Sequence, residues 1–77
     1  MNEKELAGRL RQLRKEDFGL SQEEMARRIG VSVFTLQKWE RASSPVPTRA
    51  VLALAREFRV SPNWFLLGQG PKFLREK

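Results

Sequence analysis

The side chains of this 77-residue chain that could do chemistry are carboxylates, ammonium and guanidinium groups, amides and hydroxyls. The sequence contains no Cys, His or Tyr, which removes thiol and imidazole nucleophiles, imidazole and phenol bases, disulfides and thiolate or imidazole metal sites. No two of the remaining carboxylates, lysines and hydroxyls stand at a recognisable catalytic spacing. We therefore expect no catalytic residue and no metal ion.

The abundant functional groups are basic. Fifteen Lys and Arg residues against nine Asp and Glu residues leave a formal net charge of +6, which favours a polyanionic partner such as nucleic acid or an acidic membrane surface. The longest stretch without a charged residue, 60–71, is shorter than the roughly 20 residues of a membrane-spanning helix. The chain begins with acidic residues where a secretory signal has basic ones. We therefore expect a cytoplasmic protein without a membrane partner.

Capping residues and apolar spacing divide the chain into helices. Asn2 and Ser21 each precede a Glu by three residues, the spacing of a capping box, and Ser61 precedes a Pro, which favours the first helical position. Between these signals apolar residues recur every three or four positions, as on one face of a helix. Gly residues follow several of these stretches and mark the helix ends. The pattern predicts an all-α fold with helices near 3–16, 22–29, 33–41, 49–58 and 62–67.

A chain of this length has room for one core, because a domain this small buries only about 60% of the surface that its unfolded chain exposes. The sequence predicts one domain over residues 1–68 and a short C-terminal tail over residues 69–77. Trp39, Phe58 and Trp64 are the large aromatic residues expected in that core.

Residues 21–40 form the informative unit, two short helices separated by a break at Gly30. Two helices joined by a turn of three or four residues cross at a steep angle, so that the second can lie in the DNA major groove while the first crosses the backbone. Gly30 can take the left-handed conformation of such a turn without steric cost. The spacing predicts a helix-turn-helix with residues 33–41 as its recognition helix.

Over residues 6–68 the chain resembles the lambda repressor and Cro-like (XRE-type) helix-turn-helix family. The motifs that keep the family's mutual spacing are Leu20-Ser21-Gln22, Ala26, Gly30, Leu36, Trp39-Glu40 and Val60-Ser61. The resemblance implies a five-helix DNA-binding domain that acts as a homodimeric transcriptional regulator of phage or prokaryotic type, more specifically a repressor. It also implies a palindromic double-stranded DNA operator, association with the nucleoid when bound, and no cofactor.

The resemblance also implies roles for individual residues. The positions that face base edges are Val33, Phe34, Gln37 and Lys38. The positions that contact phosphates are Gln22, Thr35, Arg41, Ser43, Ser44 and Arg49. Arg14 matches the family arginine that pairs with the glutamate ending the recognition helix, here Glu40. The dimer contact falls on Phe65, Leu66 and Leu67.

Three features depart from the family pattern. The first helix reaches Gly19 with one residue more than the commonest family form, and Ala42 stands where the family often has Gly. Val33 and Phe34 are apolar where many relatives place Gln, Arg or Ser, which reduces base reading through hydrogen bonds at those two positions.

Alternatives to the DNA-binding interpretation stay open. Val33 and Phe34 could contact thymine methyl groups, or they could pack against the core or another protein. In the last case the fold would be a protein-interaction module, such as an antitoxin-like or adaptor subunit. Lys38, Arg41 and Arg49 favour DNA, because a protein-docking helix does not need them. A basic first helix could also lie on a membrane, but its short leucine stripe is needed to close the core.

Overall fold

The computed structural model describes residues 2–75, and these residues form five α-helices. They are α1 (Glu3–Gln12), which continues through a π-helical turn at Leu13–Asp17, α2 (Gln22–Ile29), α3 (Val33–Glu40), α4 (Thr48–Phe58) and α5 (Pro62–Leu67). The predicted all-α class is confirmed. In the described part of the chain the one β-type pairing is an isolated antiparallel bridge between Val60 and Phe73. No helix there is both long and apolar enough to cross a membrane.

Side-chain caps begin four of these helices. At α2 the hydroxyl of Ser21 accepts a hydrogen bond from the Glu24 amide at 3.1 Å, and Glu24 Oε1 accepts one from the Ser21 amide at 3.0 Å. The hydrogen bond from the Ser21 amide, aided by the Ser21 side chain, holds the pKa of the Glu24 carboxyl below its ordinary value, because it stabilises the charged form. Asn2, Ser32 and Ser61 cap α1, α3 and α5 with the first of these bonds only, each side chain accepting from the amide three residues later. The helix starts therefore follow from local sequence, as the spacing predicts.

One face of each helix packs into the core. Its fully buried members come from every helix and from the loop before α5: Leu6, Leu10, Leu13, Met25, Leu36, Leu54, Val60 and Phe65. Trp39 is also buried, as expected, whereas Phe58 and Trp64 lie partly exposed at the edge of the core. The short helix α5 thus places Phe65 fully inside the core, and Trp64 and Leu66 pack against its edge.

The end of the first helix changes from α to π geometry. The Phe18 amide donates to the Leu13 carbonyl at 2.9 Å, a bond over five residues instead of four. Such a turn takes up one more residue than an α-turn. Leu13 stays fully buried, and Arg14 is carried on the π-helical turn next to it.

The C-terminal segment 69–75 folds back on the helices. The Leu74 amide donates to the Arg59 carbonyl at 2.7 Å, and the Ser61 amide donates to the Lys72 carbonyl at 2.8 Å. The ring of Phe73 lies 6.1 Å from that of Phe18. These contacts attach the segment to both the end of α4 and the end of the π-helical turn.

This packing corrects the predicted boundary at residue 68, because the domain extends at least to residue 75. The stretch 69–75 is short and has no helical period, so its attachment depends on partners far away in sequence. One of them is Asp17, whose carboxylate lies 3.1 Å from Lys72 Nζ. Residues 76–77 of the predicted tail and residue 1 of the predicted domain lie outside the described residues.

Ala42 follows α3 with φ of 60°, the left-handed conformation, although it carries a side chain. This conformation brings a Cβ atom close to the following carbonyl oxygen and costs about 1–2 kcal/mol. The chain adopts it here because the Ser43 amide then closes the end of α3 on the Lys38 carbonyl at 2.8 Å.

We predict that Ala42→Gly raises the free energy of unfolding by roughly 0.5–1 kcal/mol. The substitution removes the left-handed strain, and the greater freedom of Gly in the unfolded chain offsets part of that gain. The measurement is the urea midpoint. Arg59→Gly is a matched control, because Arg59 is also left-handed but its guanidinium binds the Arg75 carbonyl, so its gain should be smaller. An unchanged or lowered midpoint for Ala42→Gly would contradict the account.

Candidate nucleic-acid interface

The predicted helix-turn-helix is formed by α2 and α3, which contain eight residues each. Gly30 ends α2 with φ of 75° and ψ of 33°, in the left-handed region. The Val31 amide donates to the Ala26 carbonyl at 2.9 Å, and the small side chain of Ala26 is buried. The break between the two helices therefore lies at Gly30, as the sequence predicts.

Arg14 and Glu40 form a two-pronged ion pair. Arg14 Nε donates to Glu40 Oε2 at 2.7 Å, and Arg14 Nη2 donates to Glu40 Oε1 at 3.0 Å. The two side chains are only 11% and 3% exposed. The remaining guanidinium nitrogen donates to the Leu20 carbonyl at 3.0 Å. Because parallel hydrogen bonds fix direction as well as distance, the pair holds the end of α3 against the π-helical turn.

Two glutamines extend this pair to the start of α2. Gln22 Nε2 donates to Glu40 Oε1 at 3.0 Å, and Gln37 Nε2 donates to Gln22 Oε1 at 3.2 Å. We call Arg14, Glu40, Gln22 and Gln37 the Glu40 network. It fastens the side chain of Gln22, the residue expected at a phosphate, to the recognition helix.

The outer side of α3 presents two different side chains. Phe34 is 72% exposed, and Lys38, four residues later, is also exposed. Residues four apart lie on one face of a helix, so the ring and the ammonium group are neighbours. Gln37 lies half-buried beside them. We call the exposed surface of Phe34, Gln37 and Lys38 the recognition face.

Val33 and Thr35 are placed differently from Phe34. Val33 is half-buried and packs against the core, which favours the core interpretation of this residue over base contact. The hydroxyl of Thr35 lies 3.0 Å from that of Ser32, in the cap of α3, and the residue is half-buried. Thr35 is therefore a residue of the helix start with a partly accessible hydroxyl.

The predicted phosphate-contacting residues after α3 lie around its end. The amides of Ser43 and Ser44 both point at the Lys38 carbonyl, at 2.8 and 3.4 Å, so that their hydroxyls are the groups left for a partner. Ser44 is half-buried, and Arg41, Ser43 and Arg49 are exposed. This loop and the first turn of α4 therefore offer basic and hydroxyl groups next to the recognition face.

A shallow cleft adds Arg11, a residue that the sequence analysis did not assign to the site. The cleft is lined by Arg11, Arg14, Gln22, Glu40 and Arg41. Both oxygens of Glu40 already accept hydrogen bonds within the Glu40 network, and the described residues provide no salt bridge for the other two arginines. Arg11 stands three residues before Arg14, a spacing that places both on one face of a helix and that could have revealed it.

Arg9 has a structural role that sequence reasoning also missed. Its guanidinium donates to the carbonyl of Phe65 at 2.9 Å and so closes the end of α5. Gly68 leaves room for this side chain, because an added Cβ would lie 2.6 Å from Arg9 Nη2. Since Arg9 and Arg14 are both bonded to protein groups, the membrane interpretation of the first helix loses two of its basic residues.

The predicted dimer residues do not share one environment. Phe65 is fully buried and belongs to the core, so its prediction as a dimer contact is wrong. Leu66 is half-buried, and Leu67 is 55% exposed. A run of four apolar residues in a helix of under two turns does not show which side faces inward, and packing against α1 and α4 turned Phe65 inside.

The helix-turn-helix family model matches residues 10–65 of the chain. The chain belongs to this family. A comparison with curated proteins gives no match. Among solved structures, the restriction-modification controller protein C.AhdI from Aeromonas hydrophila is 30% identical, with a TM-score of 0.74 over 83% of this chain and 96% of that one.

The P22 c2 repressor is a second similar helix-turn-helix protein. Its crystal structure in complex with synthetic operator 9T is 26% identical, with a TM-score of 0.70 over 83% of this chain and 96% of that one. The solution structure of its DNA-binding domain is 28% identical, with a TM-score of 0.72 over 88% of both chains. These likenesses confirm the predicted family and its five-helix fold.

We predict that breaking the buried ion pair from one side lowers the free energy of unfolding by about 3–5 kcal/mol, because it leaves a charge without a partner. Arg14→Met and Glu40→Gln test this through their denaturant midpoints. Glu57→Gln is the control, since Glu57 meets Arg28 at 3.9 Å with both side chains about half exposed. Its cost should stay below about 1 kcal/mol. Equal midpoints for the Glu40 and Glu57 variants would contradict the prediction.

Proposed function

We propose that this protein is a sequence-specific DNA-binding transcriptional regulator, more specifically a repressor, whose helix α3 enters the major groove. The observation that carries the proposal is a helix-turn-helix in which the Glu40 network fixes α3 while Phe34 and Lys38 remain exposed. Binding of the P22 c2 repressor to an operator supports DNA as the partner. Family and fold are those of DNA-binding regulators.

The proposed base-contacting residues are Phe34, Gln37 and Lys38, because they form the recognition face. Val33 leaves this group, since its side chain packs on the core. The proposed phosphate-contacting residues are exposed or half-buried around that face: Gln22, Thr35, Arg41, Ser43, Ser44 and Arg49. The free guanidinium of Arg11 in the cleft joins them. Apolar and cationic groups then face the bases, and basic and hydroxyl groups face the backbone.

The proposed assembly is a homodimer on a palindromic operator. A single small unit contacts too few base pairs for a unique site, so two units on half-sites about 10 base pairs apart are needed. The proposed contact is the exposed end of α5, with Leu67 at its centre and Leu66 beside it.

A protein-interaction module is the second candidate, and the exposure of Phe34 is the observation that favours it. An exposed Phe can meet a protein partner as well as a base. Selection of bound sequences from a random DNA pool by the purified protein separates the two candidates. An enriched palindrome supports the regulator, and a pool that stays random supports the module.

We predict that Lys38 contacts a base, whereas the exposed arginines around α3 contact the DNA phosphates. Lys38→Ala should relax the preference at one base pair, a G read through O6 and N7, by about 1–3 kcal/mol of discrimination. Arg11→Ala, Arg41→Ala and Arg49→Ala should weaken all sequences alike, each lowering the slope of log K against log salt by about one unit. The measurements are selected consensus sequences and salt titrations.

Two outcomes would contradict this division. An unchanged consensus for Lys38→Ala together with an altered one for Arg41→Ala would mean that α3 enters the groove in another register. An unchanged salt slope for Arg11→Ala would remove Arg11 from the backbone contacts. Arg56→Ala is a suitable control, because Arg56 is an exposed arginine in the last turn of α4, outside the proposed contacts.

We predict that Leu67→Glu abolishes paired binding on the operator, because it places a charge at the centre of the proposed contact. Sedimentation on operator DNA should show two proteins per site for the parent and one for the variant. Leu52→Glu is the matched control, since Leu52 is 51% exposed on α4 and should leave two proteins per site. Two proteins per site for Leu67→Glu would refute the arrangement.

A further inference from the structure

The C-terminal segment 69–75 joins the junction of α4 and α5 to the π-helical turn. Its backbone is anchored at the junction, where two hydrogen bonds of 2.7 and 2.8 Å flank the antiparallel bridge. Its side chains reach the turn. Lys72 Nζ lies 3.3 and 3.1 Å from Oδ1 and Oδ2 of Asp17, and the ring of Phe73 lies 6.1 Å from that of Phe18. The segment therefore holds the end of the turn from outside the first helix.

The π register of this turn leaves one carbonyl open for the chain that follows. The Phe18 amide donates to the Leu13 carbonyl at 2.9 Å, and the Arg14 carbonyl accepts the Leu20 amide, also at 2.9 Å. In an α-helical register the Phe18 amide would instead donate to the Arg14 carbonyl, four residues before it. Phe18 and Leu20 therefore compete for the same carbonyl, and the π register decides in favour of Leu20.

Leu20 is bonded to Arg14 in a second way, which connects the register to the recognition helix. The Leu20 carbonyl accepts from Arg14 Nη1 at 3.0 Å, while Nε and Nη2 of the same guanidinium hold Glu40. Leu20 also directly precedes Ser21, the cap of α2, and Gln22 of the Glu40 network. A change to the α register would take the Leu20 amide off Arg14 and disturb the guanidinium that fixes the end of α3.

The contacts of the C-terminal segment favour the π register. The ring of Phe18 stacks on Phe58 with centroids 4.2 Å apart and also meets Phe73. An α register would rotate the end of the turn by about 100°, the angle of one residue, and would place Asp17 where Phe18 now lies. The ring contacts and the ion pair with Lys72 would then both be lost.

We propose that Lys72 and Phe73 are positioning residues for the recognition helix. They hold the π register, the π register holds Arg14 on Glu40, and the attached segment thereby raises the affinity for DNA. This inference rests on the proposed DNA-binding function. Every residue of the segment except Lys72 is exposed, so the segment can detach while the core stays folded. A molecule that displaces it would weaken DNA binding.

The first measurement is the dissociation constant for a duplex with one half-site of the selected sequence, so that pairing between copies does not enter. Phe73→Ala should bind between about two- and tenfold more weakly than the parent, through loss of an aromatic pair. Each variant is measured at a temperature where its circular dichroism is that of the folded parent. A merely structural role of Phe73 would leave the affinity of the folded protein unchanged.

A substitution at the ion pair separates positioning from a simple effect of charge. Asp17→Asn removes a negative charge, so attraction to DNA alone would tighten binding, whereas loss of the contact with Lys72 should weaken it by about twofold. Glu16→Gln is the matched control. Glu16 lies on the same turn and has no salt bridge in the described part of the chain, so the same charge change should leave binding as tight as in the parent or tighter.

Hydrogen exchange of backbone amides gives a second measurement, which needs no DNA. The amides of Phe18 and Leu20 mark the π register, because both of their hydrogen bonds belong to it. In Phe73→Ala and in Asp17→Asn these two amides should exchange faster than in the parent.

The effect of DNA on the segment is the third measurement, because coupling between two sites is reciprocal. If the attached segment favours DNA binding, bound DNA must favour attachment. The Leu74 amide, which donates to the Arg59 carbonyl at 2.7 Å, should therefore exchange more slowly in the presence of the half-site duplex. This slowing should be smaller in Asp17→Asn.

The outcomes distinguish this inference from the proposed function. Parent-like affinity of Phe73→Ala, or equal affinity of Asp17→Asn and Glu16→Gln, would overturn the positioning role and leave DNA binding intact. If Phe73→Ala fails to fold, the Asp17→Asn comparison decides alone. A parent that binds no duplex would overturn the DNA-binding function, and the exchange of the Phe18 and Leu20 amides would still decide whether the segment holds the π register.

Discussion

The buried carboxylate of Glu40 is the group on which the arrangement of the molecule depends. A charge only 3% exposed is tolerated because its oxygens accept hydrogen bonds from two nitrogens of Arg14 and from Gln22. These donors lie on the π-helical turn and at the start of α2. The one carboxylate therefore holds two separate elements, the π-helical turn and α2, in a fixed relation to α3.

The same interaction decides the electrostatics of the surface. Glu40 is the one acidic residue of the recognition helix α3, and its charge is balanced inside the protein by Arg14. The guanidiniums of Arg11 and Arg41 at the cleft consequently keep their charge for an outside partner. A structural ion pair beneath the surface thus leaves a net positive surface above it, which suits a backbone of phosphates.

The π-helical turn connects this arrangement to the C-terminal segment. Arg14 lies in the turn, and Asp17 at its end meets Lys72. Phe18, just beyond, stacks on Phe58 with ring centroids 4.2 Å apart and also meets the tilted ring of Phe73 at 6.1 Å. The π-helical turn is therefore held between the Glu40 network and an aromatic cluster, and Leu13 at its start stays in the core.

Local chemistry determined most of the fold. Capping boxes, the glycine break and the three-to-four-residue apolar period act between near neighbours, so the helices and the helix-turn-helix could be predicted from sequence alone. The Arg14 and Glu40 pair was also expected, through resemblance to a family. These features depend on the spacing of residues along the chain, which can be read directly from the sequence.

Tertiary structure decided which side of a short element faces inward and where long side chains end. Phe65 and Leu67 are equivalent in an apolar run, but contacts with α1 and α4 buried the first and exposed the second. Arg9 and Arg11 are equally basic, but only Arg9 reaches a helix end. The segment 69–75 has no period of its own and is fixed by contacts with α4, α5 and the π-helical turn, including that of Lys72 with Asp17, which is 55 residues away in sequence.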